Sequence, residues 1–458
     1  MAEIAAPMAL NKLKDAIASG GVDTVLVAFT DMQGRLQGKR VHGRFFVEEV
    51  LRHGTEACNY LLAVDVDMNT VEGYDMAGWE RGYGDFVLRP DLATLRPVTW
   101  YEGTAMVQCD LLWPDGRPVR PSPRQILLDQ VDRAADHGFM ALAGTALEFM
   151  VFDDTYEQAW DAGYTGLTPA NRYNVDYSMV GSARVEPLLR DIRNHMDRAG
   201  LTVESAKGEA NLGQHEIAFK YTDAVTTADQ HVVYKTAAKE IAAQHGKSLT
   251  FMAKFNEREG NSCHIHLSLR GMDGDPLFAE RGDHGAGEGR SELFASFTAG
   301  VLATMREFTL LYAPNVNSYK RFTVGSFAPT AIAWGNDNRT CAVRVVGTGA
   351  SLRLENRVPG GDVNPYLALA GILAGGMWGI ETGLSLEPPI VGNAYSTARP
   401  QVPHTLQEAR DAFANSVLAR NAFGDDVVDH YVNAADVELS AFEAAVTDWE
   451  RRRCFERM

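Results

Sequence analysis

The stretch Cys263-His-Ile-His-Leu-Ser-Leu269 alternates between polar and apolar side chains. Successive side chains of a strand point to opposite faces, so His264, His266 and Ser268 share one face and the apolar residues share the other. The pattern predicts a strand with one face in the core and one polar face. A half-exposed surface strand has the same alternation, so the neighbouring strands must decide between the two interpretations.

Three further runs, at residues 143–151, 341–346 and 352–358, are predicted to be strands. In the last of them Arg353, Glu355 and Arg357 share a face, which fits a functional cluster and a structural ion-pair ladder equally well. In the first run Glu148 interrupts apolar residues, where a bare carboxylate costs on the order of several kcal/mol. A metal ion or an arginine is therefore expected near Glu148.

Carboxylates and guanidiniums accumulate around these strands. Residues 204–216, predicted to form a loop, place Glu204, Glu209 and Glu216 around two glycines. Such carboxylates repel one another unless cations bridge them, and oxygen ligands with an occasional imidazole suit Mg²⁺ or Mn²⁺ better than zinc. Five arginines belong to the same region: Arg321, Arg339, Arg344, Arg353 and Arg357. Because guanidinium matches phosphate and carboxylate oxygens, the combination predicts metal-assisted phosphoryl transfer.

Composition narrows the class of protein. The 458 residues carry a formal net charge of -17, which argues against nucleic-acid and membrane-surface partners because phosphates repel such a surface. Five scattered cysteines without CxxC spacing indicate neither a disulfide framework nor a thiolate metal site, which favours the cytoplasm. No signal peptide is predicted, and the longest apolar stretch, 366–380, is too short to cross a bilayer. That stretch is predicted to be a buried helix.

The chain is predicted to begin with short strands and to continue with mixed strands and helices. Residues 24–29 and 36–41 are predicted to form a hairpin, and proline and glycine at 113–122 mark a linker. A helix is expected from the cap Ser122 and Pro123 to His137. Further predictions can be grouped by type: helices at 226–245 and 291–312, a flexible loop at 282–289, and amphipathic helix over most of 403–458.

Nucleotide-binding motifs of two common kinds are missing from the sequence. There is no GxxxxGK[ST] loop, and no GxGxxG opens a helix, so a different nucleotide-binding fold is required. Five ordered stretches instead make the chain resemble the glutamine synthetase superfamily over nearly its whole length. They are Asn317-Ser-Tyr-Lys-Arg321; Phe327-Ala-Pro329 with Ala333-Trp-Gly335 and Asn338-Arg339; Gly208-Glu209 with Gly213-Gln-His-Glu216; His264-Ile-His-Leu-Ser268; and Glu355-Asn-Arg357 with Asn364-Pro-Tyr-Leu367.

This resemblance implies an α+β fold with two domains. A small β-grasp N-terminal domain is expected at residues 1–115. A glutamine-synthetase-type catalytic domain, with a curved antiparallel sheet flanked by helices, is expected at 116–458. The resemblance further implies a homo-oligomer, a dodecamer of two stacked hexameric rings, with active sites between neighbouring subunits.

The resemblance also implies roles for individual residues. Two Mg²⁺ or Mn²⁺ ions are expected, one on Glu148, Glu209 and Glu216 and the other on His264 and Glu355. The glutamate site would comprise Arg321, Arg357, Glu148 and the backbone of Gly260. The ATP side would comprise Glu204, Tyr221, His266, Ser268, Arg339, Arg344 and Arg353. Arg321, Arg339 and Glu209 would be catalytic as ATP phosphorylates the γ-carboxylate of glutamate and an amine then displaces phosphate.

The chain departs from the family pattern at several positions. Ala146 stands where the family has a glutamate, two residues before Glu148, so the second ion is expected to be one ligand short. Phe327 stands where ammonia-using members carry a glutamate that takes a proton from ammonium. An aromatic ring is no base and favours an apolar amine, although Phe327 could instead pack the flap, the segment after the Arg321 motif that closes the site in the family. Asp65 and Asp67 fall in the loop expected to complete the amine pocket of a neighbouring subunit, with their alignment left open.

These departures favour the branch that makes γ-glutamylamides from organic amines. Ethanolamine or a small alkylamine such as isopropylamine is expected as acceptor, ahead of polyamines. Alternatives are glutamine synthesis from ammonia, a weakly catalytic sensor of ATP and glutamate supported only by Ala146, and, remotely, a phosphotransferase acting on guanidino compounds.

Overall fold

The computed structural model describes residues 8–282 and 285–458 of the chain. The strands are β1 (Thr24–Thr30), β2 (Leu36–His42), β3 (Thr55–Cys58), β4 (Asp85–Pro90), β5 (Arg96–Pro97), β6 (Thr104–Leu112), β7 (Phe139–Phe152), β8 (Val203–Gly208), β9 (Gln214–Phe219), β10 (Thr222–Asp223), β11 (Ser248–Thr250), β12 (Cys263–Gly271), β13 (Ala279–Gly282), β14 (Gly285–Arg290), β15 (Trp334–Asn336), β16 (Val343–Val346) and β17 (Arg353–Asn356).
The helices are α1 (Leu10–Ala18), α2 (Gly43–Phe45), α3 (Leu51–His53), α4 (Pro123–Asp136), α5 (Tyr156–Asp161), α6 (Met179–Ser182), α7 (Glu186–Arg198), α8 (Ala224–Gln244), α9 (Glu292–Tyr312), α10 (Pro365–Thr382), α11 (Leu406–Ala414), α12 (Val417–Phe423), α13 (Asp425–Ala444) and α14 (Asp448–Cys454).

The first sheet has six strands in the order β2-β1-β6-β4-β3, with β5 beside β6. The predicted hairpin of β1 and β2 is confirmed, with Thr24 opposite His42. Its turn is fixed by Asp31, whose carboxylate accepts hydrogen bonds from the backbone N–H groups of Gln33 and Arg35 at 3.0 and 2.9 Å. The following glycine, Gly34, has a φ of 77°, a conformation that glycine adopts without steric cost.

The second sheet carries the polar residues singled out in the sequence. Its order is β15-β16-β17-β12-β7-β9-β8, with β10 and β11 paired to β7. The sheet is antiparallel except between β15 and β16, which are parallel. The apolar residues of β12 are buried while its histidines and Ser268 are half-buried, so the predicted alternation is confirmed.

Helices α4 and α8 pack against β7 on the side of the sheet that faces the core. Helix α4 begins after Ser122 with Pro123 in its first turn, as predicted. Helix α10 is buried along most of its length, which confirms the interpretation of the longest apolar stretch. None of the helices in the described ranges combines the length and the apolar character of a membrane span.

Two loop predictions are wrong. Most of residues 204–216 belong to strands β8 and β9, which pair as a hairpin with Lys207 opposite Glu216, and only residues 209–213 between them form a loop. At 282–289, β13 and β14 pair antiparallel; residues 283 and 284 lie outside the described residues. Glycine suggested loops in both places, but cross-strand hydrogen bonds outweigh its weak strand propensity. The predicted helices of the C-terminal segment are confirmed as α11 to α14.

The strand predicted at 352–358 is shorter than expected. Strand β17 ends at Asn356, whose side-chain oxygen accepts a hydrogen bond from the backbone N–H of Val358 at 3.1 Å. This local bond replaces a ladder bond. Likewise β16 begins at Val343 rather than at residue 341.

Candidate active site

Three carboxylates converge on the polar, half-buried face of the second sheet. Glu148 on β7 lies directly opposite Glu216 on β9, and Glu209 immediately follows β8. One oxygen of each carboxylate lies within 4.8 Å of the other two. This triad was predicted from the sequence, and the hairpin of β8 and β9 is what brings its members together.

The triad is electrostatically crowded. Burial, reinforced by the charge of Glu216, raises the pKa of Glu148, and burial with the charge of Glu148 raises that of Glu209. Burial raises the pKa of Glu216 to about 7. Charges held this close together need a cation, and carboxylate oxygens are the ligands that Mg²⁺ and Mn²⁺ prefer. The three side chains therefore fit a hard divalent ion.

Glu148 is held in place by its own hydrogen bonds. One oxygen, Oε2, accepts from the backbone N–H of Ser262 at 2.8 Å and from Nε2 of Gln214 at 3.2 Å. The same amide of Gln214 donates to the carbonyl of Gly260 at 2.9 Å. These hydrogen bonds fix the Glu148 carboxylate in the pocket lining.

The second predicted metal position has an incomplete set of donors. Nδ1 of His264 lies 3.4 Å from Oε1 of Glu355, and Ala146 stands opposite His264 on β7 with its methyl group in the pocket lining. Glu355 also pairs with Nη1 of Arg357 at 2.6 Å and with Nη1 of Arg344 at 2.8 Å. An imidazole and a carboxylate already shared by two guanidiniums do not form a ligand set for Mg²⁺.

The charge of Glu355 follows from these neighbours. Burial alone would raise the pKa of its carboxyl, but Arg357, His266 and Arg344 together hold that pKa below its ordinary value. Burial, followed by the charge of Arg357, lowers the pKa of His264 far below its ordinary value. The imidazole is therefore neutral and able to act as an acceptor or a metal ligand.

Two buried guanidiniums reach the same pocket. Arg321 and Arg357 are each 3% exposed, and among the described residues the Nε atom of neither has a hydrogen-bond partner. Arg321 uses Nη2 to donate to the carbonyls of Val358 and Pro359. Both side chains line the pocket, and their positive charge fits an anionic ligand there.

Gly260 lets the backbone come close to Arg321. A Cβ atom at this position would lie 2.2 Å from the carbonyl oxygen of Ala253 and 2.9 Å from Cγ of Arg321. Any other residue at this position would displace the Arg321 side chain or the backbone of Ala253. The sequence-based placement of Gly260 beside Arg321 therefore agrees with the geometry.

The flap at the mouth of the pocket carries Phe327. Its ring is 62% exposed, so it does not pack the flap, and its φ of 60° is rare for a side-chain-bearing residue. The strained backbone is held on both sides: the Phe327 carbonyl accepts from Nη2 of Arg357 at 3.3 Å, and the Ala328 carbonyl accepts from the hydroxyl of Tyr395 at 2.8 Å. The ring thus lines the entrance without a hydrogen-bonding group of its own.

Residues predicted for the ATP side divide into two groups. His266, Arg344 and the exposed Arg339 line the pocket with the triad. The others lie outside this lining: Glu204, Tyr221, Ser268 and Arg353. Of these, Arg353 donates through Nε to Nδ1 of His266 at 3.3 Å, and Tyr221 flanks Gly144, which is opposite His266. These contacts extend the polar face beyond the pocket.

Asp65 and Asp67 are not brought to the pocket within one chain. Asp65 instead accepts hydrogen bonds from the backbone and side chain of Asn69 at 2.8 and 3.0 Å. It lines a separate cavity together with Asp362 and Glu438. A role for Asp65 and Asp67 beside Phe327 therefore requires a second subunit.

Several pocket residues were missed in the sequence. They are Asp176, Tyr177, Lys207, Gln214, Glu259, Ser262 and Ser326. Lys207 makes a short ion pair with Glu209, and its Nζ lies 4.0 Å from Oε1 of Glu216. Alternation along β8 would have revealed Lys207 had residues 204–216 been recognised as strands. Asp176 and Tyr177 come from a segment without regular structure and gave no local signal.

Comparison with known proteins supplies further findings. The profile of the glutamine synthetase catalytic domain matches residues 120–454. Gamma-glutamylethanolamide synthetase GlnA4 of Streptomyces coelicolor is 65% identical over 452 residues, covering 99% of this chain and 96% of that protein. Glutamate–isopropylamine ligase of a Pseudomonas species is 37% identical over 448 residues, covering 96% and 97%. A solved structure described as a GmaS/ADP complex has a TM-score of 0.85 at 27% identity, covering 97% of this chain and 99% of its own.

Proposed function

Since the chain belongs to the glutamine synthetase family, we propose that it joins an organic amine to the γ-carboxylate of L-glutamate while ATP is converted to ADP and phosphate. It is an ATP-dependent glutamate–amine ligase. One observation carries the proposal: the carboxylate triad, two desolvated guanidiniums and an exposed Phe327 line a single pocket. The reaction passes through γ-glutamyl phosphate, which the amine then attacks.

Arg321 and Arg357 are proposed to bind glutamate. Both guanidiniums belong to the pocket lining, and a carboxylate matches their charge and planar shape. Gly260 keeps the backbone close to Arg321, and Glu148 would lie near the other end of the substrate. This arrangement would hold the γ-carboxylate beside the triad, where phosphoryl transfer takes place.

The triad is proposed to hold one Mg²⁺ or Mn²⁺. When bound, this ion supplies positive charge against the transferring phosphoryl group. Arg339 and Arg344 add guanidinium charge on the ATP side, with His266 next to them. Glu204, Tyr221, Ser268 and Arg353 are proposed to contact the nucleotide farther out. The predicted second ion has only His264 and Glu355, so no step is derived from it.

Phe327 supports an amine rather than ammonia as the acceptor. A phenyl ring cannot take a proton from ammonium, whereas it provides apolar contact for the carbon atoms of an amine. The relatives named for ethanolamine and isopropylamine chemistry are 65% and 37% identical to this chain. Ethanolamine is therefore proposed as the preferred acceptor, with small alkylamines next.

The remaining proposals concern the domains, the oligomeric state and the cellular compartment. We propose a β-grasp domain at residues 1–115 and a catalytic domain at 116–458, assembled into a dodecamer of two hexameric rings. In such a ring Asp65 and Asp67 would reach the pocket of a neighbouring subunit. The net charge and the cysteine pattern support the cytoplasm as the site of action.

Phosphate release across a panel of amines tests the function. Purified protein is given glutamate, ATP and Mg²⁺ or Mn²⁺ with ethanolamine, isopropylamine, a polyamine or ammonia. Turnover with ethanolamine or isopropylamine above that with ammonia is expected. Turnover with ammonia and with none of the organic amines would contradict the proposal.

Ala146 favours one second candidate, a sensor that binds ATP and glutamate with little catalysis. Loss of a carboxylate in the pocket would slow phosphoryl transfer while leaving Arg321 and Arg357 free to bind glutamate. Binding of glutamate and ATP without turnover of any amine in the panel would favour this candidate.

A further inference from the structure

Lys207 places a positive charge of the chain itself among the triad carboxylates. It lies opposite Glu216 on the β8–β9 hairpin, so its side chain projects from the same face as the triad. Its ammonium makes a short ion pair with Glu209 and lies 4.0 Å from Oε1 of Glu216. The ammonium is thus bound by two of the three carboxylates proposed to hold the divalent ion.

The surroundings of Lys207 offer its ammonium a second position. The Nζ atom lies 4.8 Å from the centroid of the Tyr177 ring, and Asp176 lines the pocket beside it. A lysine stem has several rotatable bonds, and an ammonium is attracted to the face of an aromatic ring. The ammonium can therefore leave Glu209 and stay close to Tyr177 without unfolding the hairpin.

We propose that Lys207 competes with the divalent ion for the triad, so that binding of the ion is an exchange in which the Lys207 ammonium leaves Glu209 and Glu216. This proposal rests on the proposed role of the triad as ion ligands. A permanent ion pair would be the simpler structural explanation. It is disfavoured because one ammonium does not balance three carboxylates, which leaves the site attractive to a doubly charged ion.

The exchange predicts a weaker ion site than the number of carboxylates suggests. An ion entering the triad must break the ion pairs of Lys207 and then remain a few ångströms from its charge. Removing that charge is expected to tighten Mn²⁺ binding about tenfold, since like charges at such distances repel strongly where water is partly excluded. It is also expected to destabilise the chain in the absence of Mn²⁺, because the triad loses its counter-ion.

Titration with Mn²⁺, followed by the electron paramagnetic resonance of the free ion, tests the exchange. The full chain is stripped with chelator and titrated without nucleotide as wild type, Lys207→Met, Lys207→Gln and Lys207→Arg. Both neutral variants are expected to bind Mn²⁺ about tenfold more tightly, while Lys207→Arg, which keeps the charge, is expected to stay within about threefold of wild type.

Matched controls separate this proposal from the proposed ion site. Lys12→Met removes the same charge from the exposed face of α1 and is expected to leave Mn²⁺ affinity unchanged. Glu209→Gln is expected to abolish tight binding. If wild type binds Mn²⁺ and the neutral Lys207 variants bind it no more tightly, the exchange is wrong. If wild type binds no Mn²⁺ and Glu209→Gln changes nothing, the ion site itself is wrong.

The melting temperature gives a second readout that needs no catalysis. In chelator, Lys207→Met is expected to melt below wild type, and its gain on adding Mn²⁺ is expected to exceed the gain of wild type. Equal gains in the two proteins would overturn the exchange even if the affinities could not be compared.

Discussion

Ala146 and Lys207 change the charge of the pocket in the same direction. Ala146 provides a methyl group where the family pattern has a carboxylate, and Lys207 adds an ammonium next to Glu209 and Glu216. Each change lowers the attraction of the pocket for divalent cations. We therefore expect the affinity of the pocket for divalent ions to be low without nucleotide. It should rise when ATP is bound, because the phosphates supply further oxygen ligands.

Ala146→Glu is expected to supply the carboxylate ligand that the second ion site lacks. The new carboxylate would stand opposite His264 on β7, so that with Glu355 the pocket offers three donors for a second ion. With ADP present, the variant should bind one more Mn²⁺ per chain than wild type, and amine-dependent turnover should rise about tenfold or more. Equilibrium dialysis and phosphate release measure the two effects.

Ala218→Glu is the matched control for this prediction. Ala218 lies opposite Ala146 on β9, one strand farther from His264, so the variant adds the same charge to the same face. It should not raise Mn²⁺ stoichiometry. Equal behaviour of the two variants, or an unchanged rate in Ala146→Glu, would mean that the site does not lack a ligand at residue 146.

The flap is an element whose conformation is fixed by two hydrogen bonds at adjacent carbonyls. Arg357 holds Phe327 and Tyr395 holds Ala328, which keeps Phe327 in the left-handed region. Such a conformation costs on the order of 1–3 kcal/mol and persists only when its neighbours impose it. Removing one support should therefore change where the Phe327 ring stands.

Tyr395→Phe is expected to loosen the flap while keeping the aromatic ring. Loss of the 2.8 Å hydrogen bond to Ala328 removes about 1 kcal/mol of local stabilisation. The KM for the amine should rise about threefold to tenfold, and the dissociation constant of ADP should stay the same. A change in both constants, or in neither, would contradict the role assigned to Tyr395.

A buried ion-pair network around Arg124 connects the first sheet to the helices that pack on the second sheet. Arg124 on α4 is 6% exposed and pairs with Asp91 at 2.6 Å, with Asp229 at 3.0 Å and, at short range, with Asp110. Asp110 lies in β6 of the first sheet and Asp91 directly follows β4, whereas Asp229 belongs to α8, which packs on the second sheet. One buried guanidinium thus joins the two parts of the chain.

Arg124→Met is expected to destabilise the whole chain by about 3–5 kcal/mol, because the buried Asp229 carboxylate, 4% exposed, loses its charged partner, and the half-buried Asp91 and Asp110 lose theirs as well. The half-exposed pair of Arg133 with Glu381, in which neither side chain is buried, is the control, and Arg133→Met should cost less than about 1 kcal/mol. Urea denaturation measures both. A loss no larger for Arg124→Met than for the control would show that the buried pair does not join the sheets.

Three histidines buried in neutral form each contribute stability that is lost in mild acid, opposite in sign to the contribution of the triad carboxylates, whose pKa values are raised. Burial lowers the pKa of His215 to about 4 and those of His231 and His430 to about 3. The unfolded chain, with histidine pKa near ~6.5, therefore binds more protons below that pH. This stability is fully present above pH ~6.5 and is lost as the pH falls, by up to about 1.4 kcal/mol per pH unit for each histidine.

Urea denaturation between pH 7 and 5 checks the sign and its source. His231→Gln removes one of the buried groups and should make the free energy of unfolding fall less steeply with acid. His53→Gln, at an exposed position, should leave the slope as in wild type. An unchanged slope in His231→Gln would mean that His231 takes up its proton without unfolding.

Features set by residues close together in the sequence were predicted, whereas features set by contacts between distant residues were not. The strand at His264, the helix after Ser122 and the triad members were predicted because periodicity and motif spacing are local properties. The β8–β9 hairpin was missed because its glycines and carboxylates are typical of loops, and with it Lys207 was missed. The place of Asp65 could not be predicted, since it depends on how its loop packs beside Glu438 of α13, far away in sequence.

Competition between two amines tests the central claim most directly. Ethanolamine and ammonia are supplied together at equal concentration with glutamate, ATP and Mg²⁺, and the products are counted by mass spectrometry. Because Phe327 offers apolar contact and no base, γ-glutamylethanolamide should exceed glutamine by at least about tenfold. Glutamine as the main product would contradict the account.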